Sequence, residues 1–474
     1  MSEPTKTDSG LSFTGLTAMI IGSTIGAGIF TTAGDMAAAG AHTGSVLIGW
    51  GICGIGMFCL TMCFFGLNQL RPDLTNGVFS YARVCLGEYA GFNSAWGYWV
   101  SAFLCNVSYT VLLFGAIGYF LPVFGSGNNL PAVICASILL WLLNWLVLRG
   151  VQGAAALNVL ATIGKLIPIL VFIIAVLLTR SFSFDVFMDN FWGNGTMSVA
   201  DQVKATTTAT VWSFNGIEGA VVLSARAKKA SDVGRATVTG FFGLFAIYVL
   251  VAVLCMGILP AEEMATLPTP QMASMLKMAV GPWGASLVNI GVVLSLAGAL
   301  LGWTILAADC AYSVAQQDAF TMGFSRSNNY GAPANALFIT NGLVQLFLIV
   351  TLFSDSAYQL FYSMSSTMIM IPYLLSAFYY AKLVYTQEST LLSKIFAAVG
   401  TVYGLWMLYS AGLDMVLVST ILYAPGILVY IYGRRERGQK LFASRGEMLA
   451  AAAFVVLALV SLYYIAIGKI NPLG

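Results

Sequence analysis

Gly22-Ser23-Thr24-Ile25-Gly26-Ala27-Gly28 and, far downstream, Phe214-Asn215-Gly216-Ile217-Glu218-Gly219 interrupt two otherwise apolar stretches with glycine and polar residues. Each glycine costs a helix interior about 1 kcal/mol relative to alanine. At membrane depth, backbone freed from a helix is tolerated only where it is buried in protein or lines a cavity. Either stretch alone reads as a small-residue surface for close helix packing. Two of them at equivalent places in two halves of the chain, the second with an ionisable side chain, point to a pair of discontinuous helices. In transporters built from inverted repeats, the N-termini of such half-helices receive a substrate carboxylate and the freed carbonyls receive a cation.

The rest of the chain supplies the membrane that this reading requires. Of 474 residues 59% are apolar and 8% charged, and the mean hydropathy is +0.85. A soluble domain could not carry this composition on its surface. Apolar runs of about 20 residues, enough to cross ~30 Å of hydrocarbon as helix, recur between short polar breaks. Lipid admits only helices or closed barrels, and these runs are too long and continuous for barrel strands. Thirteen spans are expected, at 14–36, 44–68, 90–121, 131–149, 155–179, 204–224, 236–259, 283–315, 334–353, 357–383, 392–412, 414–432 and 447–468. The first has no cleavage-site pattern and follows a polar start, so it is expected to be retained. Residues 1–13 then form a cytoplasmic tail and 14–470 a single transmembrane domain. Its first repeat is 14–179, its second 204–383, and 392–468 supply extra helices.

Lys and Arg divide unevenly between the two sides of these spans. Lys6, Arg71, Arg83, Arg149, Arg226, Lys228, Lys229, Arg235, Arg326, Lys382, Lys394, Arg434, Arg435, Arg437, Lys440 and Arg445 share the side of the N-terminus, sixteen in all. Arg180, Lys204, Lys277 and Lys469 are the four on the other, and Lys165 falls inside a span. The positive-inside rule makes the N-terminus cytoplasmic, and an odd span count puts the C-terminus outside. The basic residues set topology, so nucleic acid is not an expected partner. The eight cysteines read as packing: seven lie in or beside spans and Cys85 in a cytoplasmic loop, with no CxxC or His-Cys cluster to hold a metal. The single histidine, His42, reads as a solvated loop residue, and no nucleophile-base constellation suggests an enzyme. A channel would need a filter-like loop, and none is present.

Lys165, Glu218 and Asp309 fall within spans. Each costs at least ~2.5 kcal/mol at the bilayer centre, which calls for a role. Lys165 and an acid could form a packing pair. Alternatively, Lys165 supplies a positive charge near the first interruption, as a bound sodium ion would, and Glu218 couples protonation or substrate charge to conformational change. Asp309 reads equally as a solvated or capping residue near the cytoplasmic end of its helix. Trp212 and Trp303 read as packing residues or as faces for a cation.

Motifs along nearly the whole chain carry a family resemblance. They are Gly22-Ser-Thr-Ile-Gly-Ala-Gly-Ile-Phe30, Gly77-Val-Phe-Ser-Tyr-Ala-Arg83, Trp96-Gly-Tyr-Trp99, Leu148-Arg-Gly-Val151, Lys165-Leu-Ile-Pro168, the run from Trp212 to Lys229 with Asp232-Val-Gly234, Gly302-Trp-Thr304 and Ile371-Pro-Tyr373. At these residues the chain resembles the amino acid-polyamine-organocation superfamily, specifically its basic amino acid/polyamine antiporters and most closely the arginine/ornithine group. The resemblance implies an all-α integral membrane protein with a five-plus-five inverted-repeat (LeuT-like) transporter fold. Helices 1 and 6 would be discontinuous, with extra C-terminal helices and twelve or thirteen spans in total.

Carried over by position, Thr24, Ile25, Gly26, Ala27 and Gly28 look like the carboxylate and amine site, with Trp212 and Asn215 opposite. Ser101, Ala102, Asn106, Trp303 and Ser365 look like the distal pocket, where Trp303 would hold a cation by its ring face. Tyr98, Glu218 and Tyr373 look like gate residues. Ala27 stands where arginine/agmatine exchangers have serine, and Lys165 where they have an apolar residue, which moves this chain toward relatives that use lysine in place of sodium.

The expected activity is electroneutral exchange of extracellular arginine for cytoplasmic ornithine in the cell (inner) membrane. The alternatives are arginine/agmatine exchange, or exchange of lysine, histidine or tyrosine for its decarboxylation product. Small cationic amino acids and the lipid bilayer are the expected partners, no cofactor or metal is expected, and a homodimer is left open. Asp185, Asp189, Asp201, Glu262, Glu263, Asp355 and Asp414 would give the outer loops a modest attraction for cations, screened over about 8 Å at physiological salt.

Overall fold

The computed structural model describes residues 13–14, 17, 21, 24–74, 77–150, 154–189, 191–218, 230–354 and 356–471, apart from the side chains at 27, 154–160, 230 and 231. Gly22, Ser23, Asp355 and the run 219–229, with Lys6, Arg226, Lys228 and Lys229 of the charge count, lie outside the described residues.

Every regular element among the described residues is helical. A 3₁₀ turn at Ala27–Phe30 leads into α1 (Thr32–Ala38), followed by α2 (Thr43–Leu70), α3 (Val78–Leu86), α4 (Glu88–Gly118), α5 (Leu130–Leu148) and α6 (Ala154–Leu178). Next come α7 (Phe184–Met188), α8 (Val199–Ser213), α9 (Ala230–Met256), α10 (Ala261–Met264), α11 (Gln271–Val280) and α12 (Pro282–Gln316). The chain finishes with α13 (Ala334–Val350), α14 (Ala357–Thr386), α15 (Leu391–Ser410), α16 (Leu413–Glu436) and α17 (Arg445–Ala466). Eleven of these, α2, α4, α5, α6, α9 and α12 to α17, are long and apolar enough to cross a membrane. They match eleven of the thirteen expected spans; of the other two, at 14–36 and 204–224, the described residues hold the short α1 and α8.

Hydropathy missed the short helices between spans. The 71–89 connection, expected as loop, contains α3, whose Phe79, Tyr81, Ala82 and Cys85 are buried against α4 and α14. Cys85 is therefore a helical packing residue. An amphipathic helix this short is too polar to register as a span and too regular to remain a loop. His42 is also corrected: it is only 9% exposed and opens α2. Its N–H donates to Ser45 Oγ (2.9 Å) and Gln202 Oε1 (3.2 Å), while Nδ1 lies 3.8 Å from Glu262. The loop at Gly193 packs over its ring, which excludes solvent.

Buried along nearly its whole length, α4 packs against α14 and α12. In turn α12 packs on α6, where Gly291 meets the carbonyl oxygen of Gly164 so closely that an added Cβ would stand 2.5 Å from it. Small residues let membrane helices approach in this way, and here the close approach lies one residue from Lys165. The last helix, α17, is exposed along most of its surface.

Candidate functional site

The first interruption begins where helical bonding stops at Ile25, whose N–H still donates to Ile21 O (3.0 Å). Gly26 then turns extended, with φ −87° and ψ −163°, before the 3₁₀ turn. The carbonyl of Ile25, buried and released from its helix, accepts a hydrogen bond from Lys165 Nζ at 2.7 Å. On the far side of the break, Gly28 O accepts from Thr31 N (2.9 Å), Thr31 Oγ1 (3.2 Å) and Thr32 Oγ1 (2.6 Å). Thr32 Oγ1 also lies 3.1 Å from Ser213 Oγ, which joins the first broken segment to α8.

Glycine is required here by contact. A Cβ on Gly26 would sit 2.7 Å from Tyr109 OH, and one on Gly28 would sit 2.9 Å from Trp212 Cδ1. Both distances are shorter than any van der Waals contact, so the aromatic rings of α4 and α8 press directly on exposed backbone.

The second interruption follows α8 as a series of turns from Phe214 to Glu218. Gly216 has φ +96°, a left-handed conformation that glycine adopts without strain, and its Cα faces Trp303, 3.6 Å from where a Cβ would stand. Beyond it, Glu218 Oε1 accepts from Tyr98 OH at 2.7 Å and Oε2 accepts from Tyr373 OH. Both oxygens of an acid in the membrane interior are thus satisfied by tyrosines from α4 and α14.

Tyr98, Ala102, Asn106 and Tyr109 recur at helical spacing on α4, and three of them touch the two breaks or the elements beside them. Tyr98 meets Glu218, Asn106 Nδ2 donates to Thr304 Oγ1 (3.4 Å), and Tyr109 covers Gly26 and contacts Trp212 edge-on at 5.2 Å. Ala102 is buried on the same stripe. Ser101 and Ser365 are engaged with each other: their hydroxyls are 3.1 Å apart and Ser365 Oγ donates to Ser101 O (2.7 Å), clamping α4 to α14. Asp309 is exposed on α12, about two turns before its end at Gln316, so it does not cap the helix.

Several buried polar atoms near the breaks have no hydrogen-bond partner: Thr24 Oγ1, Asn106 Oδ1, and both Oδ1 and Nδ2 of Asn215. Native proteins leave few such groups. Four such atoms on three elements around two interruptions suit the binding of a polar ligand.

Four aromatic or acidic residues near the site were not singled out by sequence. Trp212 contacts Tyr362 at 5.6 Å, and Tyr362 stacks on Tyr358 at 5.5 Å. Tyr358 OH lies 2.8 Å from Thr31 Oγ1 and donates to Asp35 Oδ2 at 3.4 Å. With Tyr109 these rings form a continuous aromatic wall. Asp35 carried a readable signal, an acid inside the predicted span 14–36; the tyrosines carried none, since tyrosine is common in such chains.

The amino acid permease family model matches residues 11–431. The chain is 43% identical over 464 residues to the arginine/ornithine antiporter of Pseudomonas aeruginosa, covering 94% of this chain and 95% of that one. It is 40% identical over 466 residues to the arginine/ornithine antiporter of Latilactobacillus sakei, with 96% and 97% covered. It is 37% identical over 487 residues to the arginine/agmatine antiporter of Chlamydia pneumoniae, with 99% and 100% covered. Match length, identity and the broken-helix geometry agree: this chain belongs to the amino acid permease family and is a multi-pass membrane protein.

Proposed function

We propose that the chain exchanges extracellular arginine for cytoplasmic ornithine across the cell (inner) membrane by alternating access. The observation that carries this reading is the group of unsatisfied buried atoms on Thr24, Asn106 and Asn215 between two interrupted helices. The names of the Pseudomonas and Latilactobacillus relatives give the substrate pair. Arginine and ornithine carry the same net charge at neutral pH, so one-for-one exchange moves none.

Backbone at Gly26, Ala27 and Gly28 and the Thr24 hydroxyl would receive the amino acid's carboxylate and amine, with Trp212 and Asn215 opposite. Asn106 and the Trp303 face would receive the cationic end, since a ring face attracts a desolvated cation by about 2 kcal/mol. Lys165, bonded to the freed carbonyl of Ile25, would supply there the positive charge that a bound sodium ion otherwise would. Tyr98, Glu218 and Tyr373 would form the gate on the opposite side of the site from Tyr358.

Reciprocal packing supports two inverted repeats. The third span, α4, packs on the tenth, α14; the eighth, α12, packs on the fifth, α6; and α4 and α12 pack on each other. A cytoplasmic N-terminus is supported by the basic clusters at one face. There Arg83 and Arg434 both reach Glu88, at 2.9 and 3.5 Å, and Arg437 reaches Asp318 at 2.8 Å.

The test is counterflow in proteoliposomes. Ornithine-loaded vesicles are expected to accumulate labelled arginine, and vesicles without ornithine are not. No uptake into loaded vesicles overturns the substrate assignment. Uptake driven by agmatine and not by ornithine would favour the activity named for the Chlamydia relative.

A further inference from the structure

A cavity of about 540 Å³ lies between α4, the 267–277 segment, the start of α12 and the first turn of α14. It lies on the outer face in the orientation proposed above. Tyr358 lines it, and Lys277 is the only charged side chain among the described residues that does. Directly behind Tyr358 is Asp35, 3% exposed, with Oδ1 unpartnered and Oδ2 accepting from the Tyr358 hydroxyl. The adjacent Gly34 is packed against the side chain of Gln271, itself 2% exposed, whose Oε1 is also unpartnered. Thus two orphaned acceptor oxygens, one of them a carboxylate, sit beneath the cavity, and no ion pair to Asp35 is found among the described residues. A buried carboxylate without a cation is costly, and oxygens without donors are what a guanidinium or primary ammonium satisfies.

We propose that Asp35 and Gln271 form an entry subsite for the cationic end of the substrate, between the outer cavity and the central site. This rests on the basic amino acid class proposed above. The rings of Tyr358 and Tyr362 flank it and lead to Trp212, so the cation keeps an aromatic face along the way. Lys277 fixes the polarity of entry: it repels the cationic end and attracts the α-carboxylate, so the cationic end leads toward Asp35.

The experiment measures arginine uptake by intact cells that lack other arginine uptake and express this chain, so that only the outer face meets substrate. Asp35→Asn is expected to raise KM tenfold or more with kcat within threefold, and Asp35→Glu to return KM to within threefold. Gln271→Met, which removes the amide and leaves the Asp35 carboxylate in place, is expected to raise KM at least threefold, and it keeps the subsite testable if Asp35→Asn does not fold. Unchanged KM in Asp35→Asn or in Gln271→Met overturns the proposal. So does a fall in kcat that Asp35→Glu does not restore, which would mark a packing role. Loss of pH dependence with KM intact would make Asp35 a proton carrier and overturns it too. Failure of the substrate assignment looks different: the unaltered chain then shows no ornithine-driven arginine uptake at all.

Discussion

Glu218 accepts one hydrogen bond from Tyr98 and another from Tyr373, two tyrosines on different long helices. The acid therefore ties the second interruption to both α4 and α14. Glu218→Ala is expected to abolish counterflow. Leaving two buried hydroxyls unpaired costs about 1–3 kcal/mol each, so the purified variant should melt lower yet remain folded. Near-normal exchange by a folded Glu218→Ala protein would remove the residue from the mechanism. Glu218 and Lys165 were legible in the sequence because an ionisable side chain in an apolar run is expensive and rare. The family resemblance grouped Tyr98 and Tyr373 with Glu218, but no local pattern gave the bonds themselves, because Ile25 O and the two tyrosine hydroxyls come from segments distant along the chain and are brought together by packing.

At the scale of an element, the decisive feature is the contact between bare backbone in one broken segment and an aromatic ring in the other. Trp212 occupies the space that a side chain at position 28 would need. Gly28→Ala must push the indole aside, and arginine uptake is expected to fall tenfold or more. Gly342→Ala on α13, where an added Cβ meets nothing within 4 Å, is expected to leave uptake within twofold. Equal uptake by the two variants would show that the fit of Trp212 against Gly28 is dispensable. Sequence revealed that both helices were interrupted, since clustered glycine and polar residues weaken a helix locally, whatever packs around it. It did not reveal that α4 carries Tyr98, Asn106 and Tyr109 along one stripe past both interruptions, because all its faces are buried and no polar face marks the one that matters.

For the whole molecule, the sixteen-to-four division of basic residues makes a prediction that helix packing alone does not. Lys440 and Thr196 are exposed in connections that this division places on opposite sides of the membrane. Thr196→Cys should react with a membrane-impermeant maleimide on intact cells, and Lys440→Cys only after lysis. The reverse pattern would invert the topology and place the cavity above Asp35 on the inner face.

Length, composition and the spacing of apolar runs determined by themselves that this is a helical membrane protein with two interrupted spans. Those properties reflect what lipid demands of any segment that crosses it, and they act locally along the chain. Tertiary structure alone decided which groups meet at the interruptions: Lys165 at the carbonyl of Ile25, Trp212 on Gly28, Ser101 on Ser365, and Asp35 behind Tyr358 beneath a cavity. Lipid is as apolar as a helix surface, so helices associate through shape and polar contacts instead of a hydrophobic drive. Pairings of that kind depend on the three-dimensional fit of residues from many spans, which a local pattern does not encode.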